Sequence, residues 1–145
     1  MHKVLFVCTA NIFRSRFSEE VYNHLANEKK IPSIAFSAGL KVGAYMMRKI
    51  YKPALDMLES FDIKPLRSND LSKHINEIKL TDYKKIICLD KKEHKPMVEL
   101  NHRLRDIKID YWDIVDEPEV SSQVSLPKCY KKINELIDQV SINLI

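Results

Sequence analysis

Cys8 and Arg14, separated by residues 9–13, are the pair of side chains in this sequence best suited to chemistry. A short loop wrapped around an anion turns its backbone N–H groups inward, and a helix N-terminus adds donors and partial positive charge. A guanidinium can donate to two oxygens of one anion at once. The spacing therefore predicts a cradle for a phosphate-like oxyanion, with the Cys8 sulfur at its floor as a nucleophile.

The residues on either side of this loop predict a strand followed by a helix. Residues 3–8 form an unbroken apolar run rich in β-branched and aromatic side chains, which is typical of a strand buried on both faces. From residue 14 to about residue 29, Phe17, Val21 and Leu25 recur with helical spacing. The cysteine would thus end a strand, and the arginine would begin a helix.

The rest of the chain continues this alternation. Strands are predicted at 34–37, 85–89 and 107–112, and helices at 53–61, 91–101 and from residue 126 to residue 144. Alternating strands and helices predict an α/β fold with a four-stranded parallel sheet and helices on both faces. Ligands of such folds bind beyond the carboxyl ends of the strands, where the loop of residues 9–13 would lie.

Composition narrows the class of protein. The 145 residues are close to the roughly 150 of one domain, so we expect a single domain over 1–145. No apolar run reaches the roughly 18 residues of a membrane span, and three cysteines without a CxxC pair favour a reducing, cytoplasmic compartment. The net charge of +4 comes from scattered lysines, which argues against nucleic acid and favours phosphorylated or acidic partners.

Four segments in order carry a recognisable pattern. Residues 4–19 read VLFVCTANIFRSRFSE, 36–39 read FSAG, 82–90 read DYKKIICLD and 111–118 read YWDIVDEP. Together they resemble the low-molecular-weight protein tyrosine phosphatases. The resemblance implies a three-layer sandwich of the phosphatase I (flavodoxin-like) type. It also implies hydrolysis of phosphate monoesters, with protein phosphotyrosine as the substrate.

The resemblance also implies roles for individual residues. Cys8 would form a phosphocysteine, Arg14 would hold the phosphoryl oxygens, and Asp116 would protonate the leaving group and later deprotonate water. The chemistry would need no metal and no other cofactor. Ser15 would donate to the Cys8 thiolate, while Asn11 and Ser37 would hold the loop from behind. The residues assigned to phosphate binding or loop support are Thr9, Ala10, Asn11, Ile12, Phe13, Ser15 and Ser37.

Several positions depart from the family pattern. Ala10 stands where glycine is usual, and alanine is costly there if the position needs a positive φ. Phe13 replaces a second loop cysteine, so Cys8 has no disulfide partner within the loop. Leu66 aligns with a histidine that supports the loop in many members. The usual Asp-Pro becomes Asp116-Glu117-Pro118, so Glu117 and Asp113 remain alternatives to Asp116 as the acid.

Alternative functions follow from the same loop. A phosphate or phosphoprotein binding module would need the cradle without the chemistry. Arsenate reduction would need further cysteines near Cys8, whereas Cys88 and Cys129 fall in a predicted strand and a predicted helix. Family members specialised for phosphoarginine tend to carry threonine at the position of Ile12, so isoleucine favours phosphotyrosine. Tyr45 and Phe13 are the candidate aromatic walls of a phenol pocket.

Overall fold

A four-stranded sheet in the order β2-β1-β3-β4 forms the centre of the computed structural model, which describes residues 1–144. The strands are β1 at His2–Cys8, β2 at Ser33–Gly39, β3 at Lys85–Cys88 and β4 at Asp110–Tyr111. Every neighbouring pair is parallel. The predicted α/β fold with a four-stranded parallel sheet is therefore confirmed.

Helices cover both faces of this sheet. They are α1 at Arg14–Glu28, α2 at Lys52–Ser60, α3 at Lys91–Glu99 and α4 at Ser122–Leu144. Successive residues of β1 point to opposite faces: Phe6 belongs to the apolar cluster shared with α1, α2 and α4, while Leu5 and Val7 belong to the cluster that includes Val98 of α3. This alternation explains why β1 reads as a continuous apolar run and why the molecule has three layers.

Among the strands, β2 and β4 differ most from the sequence expectations. Strand β2 is longer than predicted because it pairs with the full length of β1, from His2 with Ser33 to Cys8 with Gly39. Strand β4 is only two residues long, since Ile107 closes a turn onto Leu104 and Ile109 packs into the second apolar cluster before pairing begins. Three short 3-10 helices, at Ile75–Glu77, Leu80–Asp82 and His102–Leu104, were not predicted.

The carboxyl edge of the sheet collects the loops that carry the candidate site residues. The loop after β1 begins at Cys8, and the segment after β3 continues alongside it because Leu89 N donates to Val7 O. Ile114 N donates in turn to Leu89 O, which brings the stretch after β4 to the same edge. Segments far apart in sequence thus meet at the end of β1.

Two further observations concern the chain as a whole. Within residues 1–144, no helix is long and apolar enough to cross a membrane. The division of the chain into a single domain over 1–145 stays a prediction, and its last residue, Ile145, lies outside the described residues.

Candidate active site

The loop after β1 holds Cys8 against the first turn of α1. The Cys8 sulfur is 2 % exposed and lies 2.9 Å from Ser15 Oγ. Ser15 Oγ accepts a hydrogen bond of 2.8 Å from Asn11 Nδ2, which leaves the serine proton free to point at the sulfur. A hydroxyl placed to donate to sulfur suits a cysteine that acts as a nucleophile.

Asn11 fixes the loop from behind. It has a φ of +58°, in the left-handed region that asparagine tolerates better than most residues. Its Oδ1 accepts from Lys73 N at 2.9 Å, while its Nδ2 donates to Ser15. Ala10 is not among the residues with positive φ. The substitution of glycine by alanine at this position therefore carries no left-handed backbone penalty.

Ser37, which was expected to hold the loop, and Leu66, which replaces a supporting histidine of the family, both lie away from the loop. Ser37 Oγ donates to Glu19 rather than to the loop, because the side chain leaves β2 toward α1. Leu66 is 76 % exposed, and only its backbone N–H is engaged, on Glu20. Support for the loop on this side comes instead from the backbone of Lys73. The contact expected between Ser37 and the loop is thus replaced by one with Glu19, and Leu66 takes no part in supporting the loop, as its departure from the family's histidine implies.

Arg14 is the first residue of α1 and its side chain is almost fully buried. Its Nη1 donates to Ile114 O at 3.0 Å, and its Nη2 lies 2.9 Å from Glu93 Oε2 and 3.4 Å from Asp116 Oδ2. Its Nε is buried and has no partner among the described residues. Burial alone would lower the pKa of this guanidinium, but Cys8, Glu93 and Asp116 outweigh burial and raise it. Arg14 therefore stays charged, and its Nε–H is left for a ligand.

Glu93, in the first turn of α3, was not anticipated from the sequence. Its Oε2 accepts hydrogen bonds from Arg14 and Thr9 and lies 3.1 Å from His94 Nε2. Burial would raise the pKa of this carboxyl, but the hydrogen bonds from His94 and Arg14 hold it well below its usual range. The available signal was positional: Glu93 follows β3, and β3 is the parallel neighbour of β1.

The three candidate acids occupy distinct surroundings. Asp116 lines the pocket with Cys8, and its side chain is 25 % exposed. Glu117 also lines the pocket, but its Oε2 accepts from Ser122 N at the start of α4. Asp113 is 71 % exposed at its side chain and pairs with Lys128 at 3.1 Å, outside the residues that line the pocket. Of the three candidates, Asp116 is thus the one in contact with Arg14.

A pocket of about 360 Å³ contains this chemistry. Cys8 and Arg14 lie on its polar side, and the two predicted aromatic walls, Tyr45 and Phe13, both line it. Tyr51 stands edge-on to Phe13 with ring centroids 5.5 Å apart and was missed from the sequence. The other residues that line the pocket are Thr9, Ala10, Ile12, Met47, Asp116, Glu117 and Pro118.

The other two cysteines lie in the core. Burial raises the pKa of the Cys88 thiol to about 12, and burial also raises that of Cys129 to about 12. Ser18 Oγ lies 3.0 Å from the Cys129 sulfur. Over residues 1–144, no group of three or more His, Cys, Asp or Glu side chains is arranged to hold a metal ion.

Comparison with known proteins identifies the family. The profile described as "Low molecular weight phosphotyrosine protein phosphatase" matches residues 3–144. Comparison with curated protein sequences gave no match.

Three solved structures illustrate the likeness in fold. YfkJ from Bacillus subtilis is 20 % identical with a TM-score of 0.83, covering 99 % of this chain and 96 % of its own. A low molecular weight protein tyrosine phosphatase from T. tengcongensis is 22 % identical with a TM-score of 0.77, covering 99 % and 100 %. An arsenate reductase from Archaeoglobus fulgidus is 18 % identical with a TM-score of 0.70, covering 93 % and 98 %. The chain belongs to the low molecular weight phosphotyrosine protein phosphatase family.

Proposed function

We propose that this protein hydrolyses phosphotyrosine in protein substrates through a phosphocysteine intermediate on Cys8. The observation that carries the proposal is the grouping of a buried sulfur, a buried guanidinium and a half-buried carboxyl in one pocket with aromatic walls. An anion binder has no use for a nucleophile and an acid in the same pocket. This grouping therefore favours catalysis over simple binding.

In the first step, the Cys8 thiolate forms a bond to phosphorus as the bond from phosphorus to the phenolic oxygen breaks. Asp116 gives its proton to that oxygen, so a neutral phenol leaves. Arg14 and the backbone N–H groups of residues 9–13 would bind the three non-bridging oxygens. Phosphoryl transfer depends mainly on such positioning and charge stabilisation.

In the second step, water forms the new oxygen–phosphorus bond and the sulfur–phosphorus bond breaks. The Asp116 carboxylate takes the proton from the attacking water. Inorganic phosphate leaves, and Cys8 returns to the thiolate that Ser15 stabilises with its hydroxyl. The two steps together consume one water molecule and need no electron donor.

The walls of the pocket support an aromatic substrate. Tyr45, Tyr51 and Phe13 line the pocket. Aromatic rings pack favourably against one another in tilted or offset arrangements, so these side chains suit a phenol ring. Arsenate reduction fits less well because Cys88 and Cys129 are buried with raised pKa values. The cysteines are all free thiols, which fits a reducing compartment, so we propose cytoplasmic phosphoproteins as substrates.

The test compares the wild-type protein with Cys8→Ser on peptides that carry one phosphorylated residue. We expect the wild type to release phosphate from phosphotyrosine much faster than from phosphoserine or phosphoarginine. Cys8→Ser should bind inorganic phosphate but release none from the peptide, because the loop remains and the thiolate is lost. Equal turnover by Cys8→Ser would exclude the phosphocysteine. A wild-type protein that binds phosphate without turnover would leave the binding-module alternative.

A further inference from the structure

One carboxylate oxygen connects three parts of the site that come from different segments. Glu93 Oε2 accepts from Arg14 Nη2 at 2.9 Å and from the Thr9 hydroxyl, and it lies 3.1 Å from His94 Nε2. Thr9 belongs to the loop after β1, and Glu93 and His94 belong to α3. The oxygen thus ties α3 both to the loop and to the guanidinium.

The buried histidine determines how this oxygen is held. His94 is 0 % exposed, and its Nδ1 accepts a hydrogen bond of 3.1 Å from Asp90 N. Because Nδ1 accepts, a neutral ring carries its proton on Nε2, which points at Glu93 and at Thr9 Oγ1, 3.2 Å away. Thr9 and His94 therefore hold the Glu93 carboxylate in place independently of Arg14.

The nitrogen atoms of the Arg14 guanidinium have different partners. Nη1 is bonded to Ile114 O and Nη2 to Glu93, while the longer contact of 3.4 Å between Nη2 and Asp116 is one that a ligand oxygen can replace. Nε–H lies on the same edge of the guanidinium as one Nη2–H, and Nε has no partner within residues 1–144. That edge has the geometry for two phosphoryl oxygens.

We propose that Glu93 is the positioning residue of Arg14: its carboxylate, held by Thr9 and His94, orients the guanidinium so that the Nε edge remains available to the phosphoryl group. The proposal rests on the proposed function, since it assigns Arg14 to phosphate. Glu93 acts through Arg14, and its own charge opposes the anion that Arg14 binds. Orientation and charge therefore make opposite contributions to affinity for phosphate.

Two substitutions separate these contributions. Glu93→Gln keeps an acceptor oxygen for Arg14 and removes the negative charge, so we expect inorganic phosphate to bind more tightly than in the wild type. Glu93→Ala removes the acceptor as well, and we expect phosphate to bind about tenfold more weakly. Misplacement of a catalytic group by about 1 Å can reduce turnover by about 10²-fold, so kcat on a phosphotyrosine peptide should fall by about 10- to 100-fold in Glu93→Ala and much less in Glu93→Gln.

Titration calorimetry with inorganic phosphate measures the affinities without turnover. The matched controls are Glu99→Gln and Glu99→Ala, at the exposed end of the same helix, which should leave affinity and kcat unchanged. Thermal unfolding of each variant checks its fold, and if Glu93→Ala does not fold, Glu93→Met, which also removes the acceptor but changes the volume less, takes its place in the comparison.

The order of affinity, with Gln above wild type and Ala below, supports the proposal. Tighter binding in both variants would make Glu93 only a competing charge, and weaker binding in both would make it a general structural support. Either result overturns the proposal. If the wild type binds phosphate but hydrolyses no phosphotyrosine, the proposed function fails, and the same order of affinities still decides the role of Glu93.

Discussion

Asp116 lies between a guanidinium and the apolar wall of the pocket, and these neighbours act on its proton in opposite directions. Burial raises the pKa of its carboxyl, the Arg14 charge 3.4 Å away lowers it, and the net result is a raised pKa. A raised pKa keeps the acid form present at higher pH than in an exposed aspartate. Asp116 is therefore better prepared to give a proton to a leaving oxygen than Asp113, whose pKa the hydrogen bond from Lys128 lowers.

Substitution of this acid should depend on the leaving group. The phenol of tyrosine has a pKa of about 10, so its oxygen needs a proton in the transition state, whereas a nitrophenolate needs it far less. General acid catalysis contributes about 10²- to 10⁴-fold. Asp116→Asn should reduce kcat on a phosphotyrosine peptide by about that factor and reduce it much less on p-nitrophenyl phosphate. Steady-state kinetics on both substrates measure the difference.

The pH profile gives a second readout of the same residue. Wild-type activity on phosphotyrosine should decline as pH rises through the raised pKa of Asp116, because the proton needed in the first step is lost. Asp116→Asn should lack that decline. Glu117→Gln and Asp113→Asn are the controls. If only Glu117→Gln showed a loss that depends on the leaving group, Glu117 would be the general acid instead of Asp116.

At the scale of elements, Glu19 links α1 to β2 and to the segment after α2. It accepts from Ser37 Oγ in β2, and it pairs with Arg67 Nη1 at 2.8 Å. The Arg67 guanidinium also lies over the Phe36 ring, 4.2 Å from its centroid. Burial nevertheless dominates and raises the pKa of the Glu19 carboxyl above its ordinary value. The fold therefore favours the protonated form of Glu19.

This preference predicts how stability changes with pH. Because the folded pKa is raised, the contribution of Glu19 to the free energy of unfolding is fully present below its unfolded pKa of about 4.3 and is lost as pH rises through the folded pKa. The free energy of unfolding of the wild type minus that of Glu19→Gln should thus fall with rising pH. Urea unfolding between about pH 4 and pH 7 measures it. A rise of this difference with pH would contradict the assignment.

Gly39, at the end of β2, has no Cβ and therefore lets the loop after β1 pack directly against its backbone. A Cβ on Gly39 would lie 2.8 Å from Thr9 O and 3.0 Å from Asn11 N, both backbone atoms. Gly39→Ala should therefore displace the loop and weaken phosphate binding, measured by calorimetry, by about tenfold or more. Gly43→Ala is the control: it has a φ of +85° with nothing within 4 Å of the added Cβ. It should cost about 1 kcal/mol of stability with little change in phosphate affinity.

The sequence predicted the elements better than it predicted the contacts between them. The apolar run before Cys8 and the helical spacing after Arg14 are local signals, and both elements lie where they were expected. Strand β4 is shorter than the apolar residues at 107–112 predict. Ile109 is apolar because it packs against the second cluster, and it does not pair in the sheet. The roles of Glu93 and Lys73 depend on which strands are neighbours, and a single sequence does not encode that adjacency locally.

At the scale of the molecule, a net charge of +4 acts on any anionic substrate before contact. Exposed lysines stand on segments that leave the carboxyl edge of the sheet. Lys41 follows the end of β2 and its backbone N–H donates to Thr9 O, and Lys91 and Lys92 begin α3. These exposed positive charges attract an opposite charge over about a Debye length, roughly 8 Å at physiological salt, while the carboxyls of Asp116 and Glu117 lie in the pocket itself. Acidic residues beside a phosphotyrosine should therefore speed its capture.

Two peptides with the same central phosphotyrosine, one flanked by acidic and one by neutral residues, test this attraction. At low salt, kcat/KM should be about 3- to 10-fold higher for the acidic peptide, because steering raises the rate of association. The ratio should fall toward one as salt rises from about 0.02 M to about 0.5 M, since screening removes long-range attraction while contacts inside the pocket stay the same. Lys91→Gln combined with Lys92→Gln should lower the ratio at low salt and leave kcat unaltered. A ratio independent of salt would mean that the flanking residues are recognised by direct contact instead of by the field of the protein.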